Sequence, residues 1–434
     1  MEDEKPKKKN RFSRFLRILG PGLITGAADD DPSGIATYSQ TGAQFGYGQL
    51  WTVIIMYPLM TAVQEACARV GAVTGKGLAA VVRDYYSKKI LYAVVLLVVI
   101  ANTVNIGADI GAMAESMRLI IPLPFVHWAL IFTILMLSLE VFTSYSTYAK
   151  ILKWLALALL AYPITAIIAG QNWPVVLRAT FIPHIQFDFG FFFILTGVLG
   201  TTISPYMFFW QASEEIEEEI EEKRVGHNGG IPRISKKFIK DLRIDTFLGM
   251  LFSELMTFFI IITTASVLNT HGVTNIATAA DAAKALEPLV STFPNSGLVA
   301  KMIFATGVVG IGLLGVPVLA GSASYALSEA FHWREGLFLK FKQAHGFYGV
   351  IIVATLIGLL INFVGIDPIK ALVFTAVFNG VAAVPLVFVI AKVSNNKKIM
   401  GEHKNPLIST TLLWLTFAAM GGSAIIMFVS LLGR

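Results

Sequence analysis

The sequence predicts an all-α membrane protein with eleven transmembrane helices in two similar halves, the first span of each half broken by a proline. Three observations carry this. Of 434 residues, 55% are hydrophobic and 14% charged, with a mean hydropathy of +0.68, so lipid rather than water must solvate most of the chain. The apolar residues fall into stretches of the roughly 20 residues that cross a bilayer. Finally, Asp31-Pro32 and Ser204-Pro205 interrupt two of these stretches, one at the start of each half. Proline removes a backbone donor and clashes with the preceding turn, so each helix should open there and leave carbonyls unpaired. Open backbone at membrane depth is tolerated only where it lines a cavity or is buried in protein, and paired broken helices point to a transporter's substrate site.

The expected spans cover about 15–47, broken at Asp31, then 49–73, 89–119, 124–144 and 147–170. The second half brings 188–220, broken at Ser204, then 243–269, 298–328, 347–365 and 369–393, and a further span follows at 406–432. This divides the chain into a basic arm at 1–14, five-helix units at 15–170 and 188–393, and the additional helix. Two connections stand apart. Residues 214–222 hold seven glutamates in nine positions and read as a solvated extension of the sixth span, neutralised in part by the basic run at 233–243. Together they form a cytoplasmic loop at 214–242. The outer segment 270–297 contains a short amphipathic helix over 275–286, expected to act as a lid or brace.

Basic residues cluster at Lys5 to Arg17, Lys76 to Lys89, Arg233 to Arg243 and Lys392 to Lys404, all on one side of the predicted membrane. The excess of Lys and Arg in cytoplasmic segments therefore places the N-terminus inside and the C-terminus outside a cell membrane. This asymmetry accounts for the net charge of +6, so nucleic acid is not a partner; the bilayer and divalent metal ions are, and a monomer is the expected state. No cleavable signal peptide is visible, because the first apolar segment runs straight into Asp29-Asp30-Asp31. The one cysteine, Cys67, allows no intrachain disulfide.

Some motifs carry no chemistry. Gly310-Ile311-Gly312-Leu313-Leu314-Gly315 fits a dinucleotide fingerprint but lies inside a span with no strand before it. Gly22/Gly26, Gly42/Gly46, Gly71/Gly75 and Gly107/Gly111 have the spacing of small-residue packing faces, read as close helix contacts rather than a dimer motif. The seven histidines are scattered, with no HExxH, so a membrane metalloenzyme is poorly supported. No enzyme activity and no resident cofactor are expected.

Charges inside spans need a partner, an aqueous cavity or a function. Asp31 stands at the opened backbone and is read as a substrate ligand, with a helix-capping carboxylate as the alternative. Asp29 and Asp30 either line an aqueous path or are structural. Glu65 precedes Arg69 by one helical turn and reads as a structural ion pair. Asp109 and Glu254 stay unassigned. Asn379 faces the cavity or a neighbouring helix, packing being the preferred reading.

Gly20-Pro21-Gly22, Asp31-Pro32-Ser33-Gly34-Ile35-Ala36-Thr37, the stretch from Gln64-Glu65-Ala66-Cys67-Ala68-Arg69 to Gly75-Lys76, and Gly200-Thr201-Thr202-Ile203-Ser204-Pro205 resemble the first, second and sixth spans of the Nramp divalent-metal transporters. The resemblance covers all eleven segments. It implies the leucine-transporter-like fold, two inverted five-helix repeats plus an extra helix. It also implies that Asp31 and the Thr201 carbonyl bind the metal, and that positions 34 and 204 would ordinarily hold an Asn and a Met that also contact it. Here these are Gly34 and Ser204. The histidine after the second break is Tyr206, and the third-span acids of the family's proton path stand as Asn105 and Ala108. These departures resemble the Nramp-related magnesium transporters of prokaryotes.

Loss of a thioether removes a soft ligand, while carboxylate, carbonyl and water suit magnesium, calcium and manganese. Smaller residues at 34 and 204 leave room for the water that magnesium gives up reluctantly. The expectation is a magnesium importer, tolerant of manganese, moving a partly hydrated ion by alternating access without obligatory proton coupling. The alternatives are a proton-coupled manganese or iron transporter using groups such as Glu65 or Asp109, a sodium-coupled amino-acid symporter, and a receptor or assembly subunit.

Overall fold

In the computed structural model the described residues are 25–26, 28–142, 157–221 and 234–433. The basic arm at 1–14, Gly20-Pro21-Gly22, the start of the 147–170 span, Glu222 and Arg233 lie outside them. The described part is helical throughout its ordered elements. The first half has α1 (Pro32–Phe45), α2 (Trp51–Thr74), the short α3 (Leu78–Tyr85), α4 (Lys88–Arg118), α5 (Phe125–Phe142) and α6 (Ala161–Ile168). A further helix, α7 (Trp173–Phe181), leads to the second half. That half has α8 (Phe189–Thr202) and α9 (Pro205–Glu221), then α10 (Lys236–Val267), α11 (Ala279–Lys284), α12 (Ser296–Phe331), α13 (His345–Ile361) and α14 (Pro368–Ser394). The turn α15 (Lys397–Met400) precedes α16 (Leu407–Leu432).

Among the described residues, eight helical stretches are long and apolar enough to cross a membrane, taking α8 and α9 as one broken span, and α13 is a shorter apolar helix. With α1 and α6, whose expected spans reach into undescribed residues, each of the eleven predicted segments corresponds to a helix. The sequence starts these helices by recognisable means. Asp31, Asp188 and Asp367 are N-caps whose carboxylates accept backbone N–H groups of the first turn, as do the hydroxyls of Ser87 and Ser235. Pro32, Pro205 and Pro368 occupy the first helical position, where the missing N–H would be unpaired anyway.

Packing is closest between α4 and α12, between α8 and α14, and between α1 and α10. Glycine sets several of these distances. A Cβ on Gly200 would lie 2.1 Å from the Gly380 nitrogen, and one on Gly71 2.1 Å from the Ala212 carbonyl oxygen. Gly42 meets Ile261 and Thr264 in the same way, and Gly107 and Gly111 meet α13 and the residues just beyond it. The small-residue spacings therefore serve packing inside the chain. Two members of those pairs have another role: Gly46 (φ +57°) and Gly75 (φ +60°) end α1 and α2 with positive φ.

Two expectations about connections are corrected. The acidic run is not a solvated extension, because it continues α9 against the protein and leaves Glu215 and Glu219 only 2% exposed. Gln211 Nε2 donates to Glu215 Oε1 at 2.9 Å, and Glu217 accepts from the Tyr325 hydroxyl and, at 2.6 Å, from the Leu337 N–H. The run contacts the loop after α12, which brings donors to it. Arg243 pairs instead with Glu65 at 3.1 Å, joining the Arg69–Glu65 pair that the turn spacing predicted. The amphipathic helix is also shorter than expected, covering Ala279–Lys284 behind a Thr278/Asp281 capping box. Gln40 of α1 fastens the segment before it, accepting from Ile276 N–H at 2.9 Å and donating to the Thr274 carbonyl at 3.2 Å.

Candidate functional site

The two proline breaks meet in the middle of the bundle. Ser33 Oγ lies 3.3 Å from Thr201 Oγ1, and Tyr38 Oη lies 2.9 Å from Thr202 Oγ1, so the start of α1 faces the end of α8. Asp31 sits between them, fully buried. Its Oδ1 accepts from Gly34 N–H at 2.8 Å and from Ser33 Oγ at 2.5 Å. Its Oδ2 accepts from Asn105 Nδ2 at 2.9 Å and faces the Tyr206 hydroxyl at 3.5 Å. Capping and site roles, set as alternatives from the sequence, thus coexist in one side chain: one oxygen caps α1 while the other points across to α4 and α9.

The second break does not leave its carbonyls open as expected. In a continuous helix the Thr201 carbonyl would accept from residue 205, but Pro205 has no N–H. Ser204 supplies the missing donor, its Oγ lying 2.6 Å from the Thr201 oxygen and 3.0 Å from the Gly200 oxygen. The single proton of that hydroxyl leaves lone pairs free on both carbonyls. A ligand approaching Thr201 therefore shares its carbonyl with Ser204.

Gly34 stands close against the site. A Cβ built there would lie 3.2 Å from the Tyr38 ring, 3.3 Å from Thr201 Oγ1 and 3.7 Å from Asp31 Oδ1, so a side chain at 34 would press between the breaks. The glycines of the false dinucleotide motif also have a structural task. A Cβ on Gly315 would lie 3.3 Å from Asp31 Cβ, and one on Gly312 2.5 Å from Met113 Sδ, so their lack of side chains lets α12 close against the first break.

Asn105, expected only as an altered proton-path position, is a direct partner of Asp31, while Ala108 faces the apolar core. Nor is Asp31 the only charge at the break. Asp29 and Asp30 are fully buried and both accept from Ser253 of α10, at 2.8 and 3.2 Å. Asp109, one turn beyond Asn105, is fully buried within electrostatic range of Asp31, and neither carboxylate oxygen has a hydrogen-bond partner among the described residues. Asn379 is buried on α14 beside the Gly380–Gly200 contact, with Nδ2 unpartnered. Sequence spacing could have flagged Asn105 and Asp109 together as one polar stripe on α4, but not its partner across the bundle.

Asp31, Ser33, Asn105, Thr201, Ser204 and Tyr206 are each at most 1% exposed, so the site is closed to both faces. A cavity of about 700 Å³ lies elsewhere, at the end of the bundle lined by Lys76, Arg83, Glu217, Glu329 and Glu335. Among the described residues no three His, Cys, Asp or Glu side chains converge closely enough to hold a metal ion directly. The atoms at the breaks that could meet a cation are the Asp31 carboxylate, the amide oxygen of Asn105, hydroxyls and backbone carbonyls, all of them oxygens.

The divalent metal cation transporter MntH of Agrobacterium fabrum is 25% identical over 416 residues, covering 93% of this chain and 85% of that protein. The manganese transporter of Eremococcus coleocola superposes with a TM-score of 0.76 at 16% identity, covering 98% of this chain and 88% of its own. MhsT, solved in complex with L-phenylalanine, superposes at 0.59 with 12% identity, covering 95% of this chain and 98% of its own. These likenesses, with the two broken helices, establish the leucine-transporter-like fold. The family described as natural resistance-associated macrophage protein-like (Nramp) matches residues 22–430, and the chain belongs to it.

Proposed function

We propose that the protein is a divalent metal cation transporter that prefers magnesium, accepts manganese, and moves a partly hydrated ion past Asp31 by alternating access, without a coupled proton. The single observation that carries the preference is the oxygen-rich surrounding of Asp31, where Gly34 brings no side chain and Ser204 brings a hydroxyl bound to the Thr201 carbonyl. A carboxylate, hydroxyls and shared carbonyls match the oxygen ligands that magnesium takes, and no thioether stands at position 204 to select a softer ion. In this reading Asp31 and the Thr201 carbonyl hold the ion, Gly34 and Ser204 add no bulky or soft side chain, and Asn105 holds the carboxylate while no ion is bound. Asn379 is a secondary polar contact on the path.

The closed site is one state of the cycle. For an ion to enter, the Asn105 and Ser33 hydrogen bonds to Asp31 must give way to metal and water. The outer end is braced by Gln40 and the 270–297 segment, and the basic-residue asymmetry supports a cytoplasmic N-terminus.

A second reading, a proton-coupled manganese transporter, draws its ion from the manganese transporter of Eremococcus coleocola and its proton from the unpartnered carboxylate of Asp109. Uptake into proteoliposomes with magnesium, calcium and manganese in series tests the substrate. Asp31→Ala is expected to abolish divalent uptake while the protein stays folded and monodisperse; magnesium flux within about twofold of the parent would remove Asp31 as the main ligand.

A further inference from the structure

We propose that Tyr206 is a positioning residue: its hydroxyl bolts the N-terminal half of the first broken span to α9 and sets how readily the site opens on that side. Pro32 creates the need. In a continuous helix the Ala28 carbonyl would accept from the N–H of residue 32, and Pro32 has none. Ala28 is fully buried, and a buried carbonyl left unpaired costs about as much as a lost hydrogen bond. Tyr206 Oη supplies the donor at 3.3 Å, from 178 residues along the chain.

The same hydroxyl faces Asp31 Oδ2 at 3.5 Å but has one proton to give. That carboxylate oxygen already accepts from Asn105 Nδ2 at 2.9 Å, whereas Ala28 has lost its helical donor. The shorter contact and the greater need both direct the proton to the carbonyl. The two breaks are therefore repaired differently. Thr201, placed before Pro205 as Ala28 is before Pro32, takes its substitute donor from Ser204 of its own segment. A local cap travels with its helix; a cap from α9 ties two elements together.

Tyr206 is itself held in place. Ser322 Oγ of α12 donates to its carbonyl at 2.7 Å, and its ring belongs to the buried cluster that includes Ala28, Trp210 and Leu319. On the opposite flank the half-helix meets α10, where a Cβ on Gly26 would lie 2.2 Å from the Gly249 carbonyl oxygen and Ser253 donates to Asp29 at 2.8 Å. The half-helix is thus clasped between α10 and Tyr206, and opening on this side parts Ala28 from the hydroxyl. The inference rests on the alternating-access reading and is indifferent to which divalent ion is carried.

The test measures KM for manganese from each face of the full-length protein, in proteoliposomes of uniform orientation. Tyr206→Phe keeps the ring and removes only the hydroxyl. Loss of the bolt should favour the inward-open state about fivefold, the effect of one hydrogen bond, leaving fewer carriers facing outward. KM for uptake should then rise by up to about fivefold while KM for efflux falls. Ser322→Ala, which frees Tyr206 from α12, should move both values in the same opposed directions by less, and it decides the case if Tyr206→Phe does not fold. Ser204→Ala, which removes only a local cap, should produce no opposed shift. Amide exchange of residues 25–31 in lipid nanodiscs should quicken about fivefold in Tyr206→Phe and stay parental in Ser204→Ala. KM values that rise together on both faces would make the hydroxyl an ion ligand and overturn the bolt, as would unchanged exchange at 25–31. A parent that carries no manganese in either direction would overturn the transport reading, and the bolt with it.

Discussion

Position 34 decides how closely the two breaks can pack. Because a Cβ there would already lie 3.2 Å from the Tyr38 ring, 3.3 Å from Thr201 Oγ1 and 3.7 Å from Asp31 Oδ1, Gly34→Asn would press on the site and add an amide beside Asp31. Ser204→Met would supply a soft sulfur but remove the hydroxyl that caps the Thr201 carbonyl. The pair together is expected to shift preference from magnesium toward manganese or cadmium, with the single changes doing less, because volume and ligand type act jointly. Isothermal titration checks this: no gain for the softer ion and no loss for magnesium would show that selectivity lies elsewhere. Glu335 presents a different residue-scale effect. It lies in the connection after α12, where burial and then the Glu329 carboxylate push it from an ordinary value near 4.5 up to about 9. The folded chain therefore keeps a proton that the unfolded chain loses, and stability falls as pH climbs from about 4.5 to about 9. Glu335→Gln should remove that fall, raising the melting temperature at pH 9 and leaving it unchanged at pH 4; an equal gain at both values would contradict the assignment.

At the scale of elements, the breaks are held by helices that approach to backbone contact. The α8–α14 crossing has Gly200 against Gly380, where a Cβ would lie 2.1 Å from a backbone nitrogen, and neither helix has a flexible side chain there to give way. Gly200→Ala should therefore cost about 1–3 kcal/mol by overpacking. It should also displace Thr201, the next residue, so that ion affinity falls with stability. Thermal unfolding in detergent alongside manganese binding checks both, and a stable variant with parental affinity would show that the crossing can relax. The acidic end of α9 makes a related point, since its buried glutamates use donors from elsewhere in the fold, such as Gln211 and Leu337.

For the whole molecule, the question is what drives the ion. A divalent cation entering a negative-inside cell is favoured by about 4.6 kcal/mol at 100 mV, twice the ~2.3 kcal/mol per elementary charge. A proton is not needed as a driver. In the proposed reading, Tyr206, Asn105 and Ala108 stand where the resemblance to ordinary Nramp proteins implies groups that titrate near neutral pH, although Asp109 keeps a carboxylate near Asp31. Magnesium entry into proteoliposomes at a fixed potassium-diffusion potential should leave an internal pH dye unchanged. Acidification that scales with magnesium, and is absent in Asp31→Ala, would establish the proton-linked reading instead.

The amino-acid order by itself determined the class of protein, the helical segments, both breaks and the place of Asp31. These follow from composition, from apolar stretch length and from proline's missing N–H, all local properties of the chain. The pair Glu65–Arg69 was legible for the same reason, being one helical turn apart. Tertiary structure alone decided which polar groups meet: Asn105 with Asp31 from 74 residues away, Ser253 with Asp29 from 224. It also decided that Ser204 caps the break it was expected to leave open, and that the glutamates of α9 are buried. Within a uniformly apolar span, hydrophobic periodicity does not say which face looks inward, since lipid and protein core are equally apolar; only the packing of neighbouring helices fixes that rotation.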